Sequence, residues 1–212
     1  VVRQRTVQTR EGAVMDQELR LLQRSAQLED SAVVWKNYAQ SLERLAANQS
    51  LLDFIGTIEV KPGVNFILGD PVSLANPDRS SIVSSLEPGI WKAYALSIET
   101  HRRDYAFGRR VARLYVVHEK LEKSIGNTEW DYYHTTGCDG GQIGIFRSDL
   151  KYFSDFYQFV FDNSKGRIFH SEAGVAAHSG FGDGSFPVYS MNFEPDTRKS
   201  FNKGGLMVHF IV

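Results

Sequence analysis

From Met15 to Leu28 the apolar residues Met15, Leu19, Leu22 and Ala26 recur three and four positions apart, the spacing of one helical stripe. Asp30 or Ser31 can cap a second helix, along which Trp35, Tyr38, Leu42 and Leu45 repeat that spacing while Lys36, Glu43 and Arg44 fall elsewhere. Residues 13–48 are thus predicted to form a helical hairpin or one interrupted helix. After Phe54 the texture changes to β-branched and aromatic runs broken by glycine and proline, the signature of strands and turns. Strands are expected over residues 57–60, 65–68, 90–99, 110–118, 129–134, 142–146, 174–178, 187–193 and 206–211. Alternation is clearest in the third run, with Trp91, Ala93 and Ala95 on one face and Tyr94, Leu96 and Ile98 on the other. Two apolar faces predict a central strand.

Turn chemistry separates the runs. Lys61-Pro62-Gly63, Glu87-Pro88-Gly89, Gly182-Asp183-Gly184 and Asn202-Lys203-Gly204-Gly205 are expected to supply preset or positive φ, joining the strands in a meander-like order. One further helix is predicted from Ser148 or Asp149 to Asp162, where Leu150, Phe153, Phe156, Tyr157 and Phe161 lie close to one face. No alternating βα rhythm is present, so the fold class is read as α+β. The expected architecture is a mainly antiparallel β core, sandwich or roll, over residues 54–212, with one inserted helix. An N-terminal helical hairpin lies in an extension of residues 1–53.

Composition narrows the classes of function. A chain of 212 residues is long enough to bury a full core. Its 24 Lys and Arg against 25 Asp and Glu leave a net charge of -1, so no global field favours nucleic acid or an anionic membrane surface. The cluster His101, Arg102, Arg103, Arg109, Arg110 and Arg113 reads as a solvated face rather than a basic site. A single cysteine, Cys138, excludes an intrachain disulfide framework and a zinc site built on several thiolates. No apolar stretch approaches the ~20 residues needed to span a bilayer, and the first ten residues have no apolar core of a leader. A soluble, cytoplasmic protein without nucleic-acid or membrane partners is expected.

Asp70, Asp139 and Asp183 each adjoin glycine at the end of a predicted strand, where a β scaffold presents polar groups on loops. Converging carboxylates would bind magnesium or calcium, or divide into acid and base, and His178, five residues before Asp183, is a candidate to join them. The alternative is structural: aspartate beside glycine builds turns, with Gly69, Asp139, Gly141, Gln142, Gly182, Asp183 and Gly184 shaping loops or touching a ligand. No His-Glu-x-x-His and no phosphate-cradling glycine loop is present, and no cofactor is expected. Cys138 needs a nearby cation or base to become a nucleophile; otherwise it is a buried thiol. The stripe of Trp35, Tyr38 and Leu42 carries residue types favoured as interface anchors. It is expected either to pack on its own domain or to bind a protein partner or a second copy.

Three separated segments resemble a family of bacterial and phage proteins known as a domain of unknown function. The first is Gly69-Asp70-Pro71 with Pro88-Gly89, Trp91-Lys92-Ala93-Tyr94 and Arg110-Val111-Ala112-Arg113-Leu114. The second runs from Asp139 to Phe146, with Gly140 where the family usually has serine and Arg147 where it has aspartate. The third is the stretch Ser179 to Tyr189, with Phe186 where tyrosine is usual. The likeness covers roughly residues 57–212 and leaves the N-terminal helices outside it. It implies the β fold and marks these loops, and it brings no activity. The leading expectation is a non-catalytic binding or assembly protein acting through protein–protein contacts. The alternatives are a small metal-dependent hydrolase built on the aspartates and an immunity or anti-defence protein that binds an effector.

Overall fold

The computed structural model describes residues 32–44, 52–71, 81–99, 109–138, 140–149, 168–178, 183–193 and 202–210. Among these residues eleven strands follow one α-helix, α1, over residues 32–44. They are β1 (Asp53–Val60), β2 (Phe66–Gly69), β3 (Ser81–Val83), β4 (Gly89–Glu99), β5 (Arg109–His118), β6 (Asp131–Cys138), β7 (Gln142–Arg147), β8 (Ile168–Ser171), β9 (Gly174–His178), β10 (Gly184–Asn192) and β11 (Lys203–His209). A 3-10 helix, Glu119–Ser124, leaves β5. The strands make two sheets, ordered β1-β4-β5-β11-β10-β6 and β3-β2-β7-β9-β8, and every strand pair is antiparallel. The fold is therefore a β-sandwich.

The two-faced run predicted around Trp91 explains the layering. β4 lies inside the larger sheet between β1 and β5, and its Trp91, Ala93 and Ala95 join Ile58, Phe66, Leu114, Ile143 and Val208 between the sheets. Its opposite side chains Tyr94, Leu96 and Ile98 join Tyr115, Val117 and Met207 on the outer face. There α1 adds a third layer, with Tyr38 buried and Val34 and Leu42 packed beside it. Full burial of one large apolar side chain is worth about 1.5–3 kcal/mol, so the second cluster is a substantial part of the core. All six residues of β7, between β2 and β9, are buried. Arg147 can be among them because Asp149 takes its Nε–H and Nη2–H at 3.0 and 2.7 Å.

Both flanks of the sandwich are closed by histidines. His170 on β8 donates from Nε2 to the Thr57 carbonyl on β1 at 2.9 Å, and His134 on β6 is hydrogen-bonded to the Ser81 hydroxyl on β3.

The expected elements need three corrections. β3 and β8 were not anticipated: three and four residues are too few for a period to register, and their neighbours specify them. Hairpins join β2 to β3, β4 to β5, β8 to β9 and β10 to β11, yet the chain interleaves the two sheets instead of running as a meander. Gly63 and Gly89 take the positive φ of their turns, 80° and 139°, whereas Gly184 opens β10 with extended backbone. The first helix of the predicted hairpin and the inserted helix up to Asp162 lie outside the described residues. No described helix is long and apolar enough to cross a membrane.

Candidate functional site

Sheet register gathers the glycine-flanked loops at one end of the sandwich. Gly69 pairs with Gly144, Gln142 with His178, and Gly184 with Cys138. The ends of β2, β6 and β9 and the starts of β7 and β10 therefore meet there. Asp70, just past β2, is 2% exposed, and its Oδ2 accepts the Gly140 N–H at 2.6 Å. Gly141 turns the chain with φ 66°, a value that L side chains rarely adopt. The buried Gln142 amide donates from Nε2 to His178 Nε2 at 2.9 Å, so that ring nitrogen is an acceptor. Asp183 stands exposed at the rim.

These contacts define what the site can do. Burial of the Cys138 thiol, then the Asp70 charge and more weakly that of Asp183, push it up to about 12. The neutral thiol is the favoured form at neutral pH. Asp70 is turned onto backbone instead of open space. Among the described residues no three His, Cys, Asp or Glu side chains are placed to hold a metal ion. Of the sequence candidates, Gly69, Asp70, Gly141, Gln142, His178, Asp183 and Gly184 come to this one end, while Asp139 and Gly182 lie outside the described residues.

The partner stripe divides. Tyr38 is 4% exposed and Leu42 half-buried against the same outer face, so both pack within the chain. Trp35 remains 46% exposed, edge-on to Tyr38 at 5.8 Å between centroids. Phe54 and Tyr132 are also exposed, leaning on Tyr94 and Tyr189 at 5.5 and 6.1 Å.

A polar cluster beneath α1 was missed. The Tyr38 hydroxyl accepts Arg113 Nε–H at 2.7 Å and lies 2.6 Å from His209 Nε2, while Arg113 Nη1 reaches the Tyr115 hydroxyl at 3.3 Å. Burial pushes the Tyr38 phenol up to about 12, against the pull of Arg113. The sequence signal was Arg113 itself, a charge set among Val111, Ala112, Leu114 and Tyr115. Comparison with protein-family models, curated proteins and solved structures found no match.

Proposed function

We propose that this is a non-catalytic binding or assembly protein that acts through protein–protein contacts, with the exposed side of α1 at Trp35 as its anchor. One observation carries the reading: at the loop end, where catalysis was the alternative, Asp70 and Gln142 are bonded to Gly140 and His178 and the Cys138 thiol is neutral. A large aromatic at Trp35 meanwhile faces outward, and buried interface aromatics commonly carry binding energy of 2 kcal/mol or more. On the same proposal the chain is a divergent relative of the bacterial and phage family its motifs resemble, departing from it at Gly140 and Arg147. Affinity capture with wild-type and Trp35→Ala baits tests the reading. A partner or second copy should be retained by the first and lost from the second, with melting temperatures alike. Equal retention would contradict it.

A metal-dependent hydrolase remains the second reading, favoured by the nearness of Asp70 and Asp183 to the same thiol. A rise in melting temperature with magnesium, calcium or zinc that vanishes in Asp183→Asn would support that reading instead.

A further inference from the structure

Tyr38 joins α1 to two strands of the sheet beneath it. Its oxygen accepts from Arg113 Nε, because a guanidinium has only donors to offer. The hydroxyl proton is thereby directed to His209, whose Nε2 lies 2.6 Å away. In the arrangement where the hydroxyl donates to that nitrogen, the ring is neutral with its proton on Nδ1. Arg113 also sits 5.4 Å from the centre of the Tyr38 ring, and the His209 ring 5.3 Å from it. The titratable and charged groups of this cluster are Tyr38 from α1, Arg113 and Tyr115 from β5, and Tyr189 from β10. Among the described residues no carboxylate pairs with His209 or Arg113, so nothing there would hold an imidazolium.

We propose that α1 is a proton-released cover: when His209 takes up a proton it can no longer accept the Tyr38 hydroxyl proton, becomes a second cation beside Arg113, and frees the helix from the sheet. Release would uncover Leu96, Ile98 and Met207, which α1 and its neighbours keep from water. Burial first, and then Arg113, push His209 down to about 4, against the ordinary 6.5. The docked state therefore holds fewer protons between those values. Docking is at full strength above pH 6.5 and is lost as the pH falls toward 4. The inference does not depend on Trp35 meeting a partner, since the helix must open in the isolated chain.

Hydrogen exchange read by mass spectrometry on the whole chain tests this. After correction for intrinsic rates, residues 34–42 should exchange on the order of tenfold faster at pH 5 than at pH 7.5. That is less than the full displacement of His209 would give, because the ring is only partly buried. β4 and β5 should stay protected at both values. His209→Gln keeps an acceptor and takes up no proton, so it should abolish the difference. Tyr38→Phe removes only the hydroxyl and should speed exchange of α1 already at pH 7.5, flattening its pH dependence. Equal protection of α1 at both pH values overturns the proposal. So does an unchanged pH dependence in either variant, or loss of β4 and β5 protection together with α1.

Discussion

Asp70 and Gly140 are 70 positions apart, and their 2.6 Å hydrogen bond ties two loops together at this end of the sandwich. Asp70→Ala removes the charged acceptor of the Gly140 N–H and should cost about 1.5–3 kcal/mol, the range for a hydrogen bond to a charged group. Asp70→Asn keeps an oxygen there and should cost less, which urea denaturation of both variants would measure. Local chemistry located these loops, since Asp70, Gln142 and Asp183 were each picked out beside glycine. It did not give their partners. Whether a glycine needs positive φ depends on the register around it: Gly141 has φ 66° beside Asp70's contact, whereas Gly184 is already paired with Cys138 as extended strand. The Tyr38, Arg113 and His209 cluster was illegible for the same reason, because it joins three elements distant in sequence.

At the scale of elements, periodicity found the long strands and α1 but not the side on which α1 works. The stripe of Tyr38 and Leu42 covers the chain's own sheet, and Trp35, lying to one side of it, is the exposed member. Deleting residues 1–48 would accordingly strip a layer from Leu96, Ile98, Tyr115 and Met207. The truncated chain should bind a hydrophobic dye strongly, precipitate, or melt well below the full chain. A truncated core as soluble and stable as the full chain would show that the outer face needs no cover. β3 and β8 escaped notice because strands of three and four residues carry too little alternation to stand out. β3 is recruited by pairing with β2, and β8 by pairing with β9.

At the scale of the whole molecule, the described residues form two sheets tied at both flanks and one helix on the outer face, and the tie between β1 and β8 depends on close approach. A Cβ on Gly56 would fall on the His170 ring, whose Nε2 holds the Thr57 carbonyl. Gly56→Ala should therefore push the exposed His170 ring off the Thr57 carbonyl and destabilise the fold by about 0.5–1.5 kcal/mol, the net worth of that hydrogen bond. In the His170→Ala background the same change should cost less, a coupling that a double-mutant cycle in denaturant measures directly. The central claim is that the protein acts through the exposed side of α1 and not through chemistry at the loop end. Native mass spectrometry of the wild-type chain, Trp35→Ala and Asp183→Asn, each alone and with the captured partner, tests it most directly. Association should fall at least roughly tenfold in Trp35→Ala, in keeping with the loss of an aromatic anchor, and persist in Asp183→Asn. Association that survives in Trp35→Ala and disappears in Asp183→Asn would contradict the account.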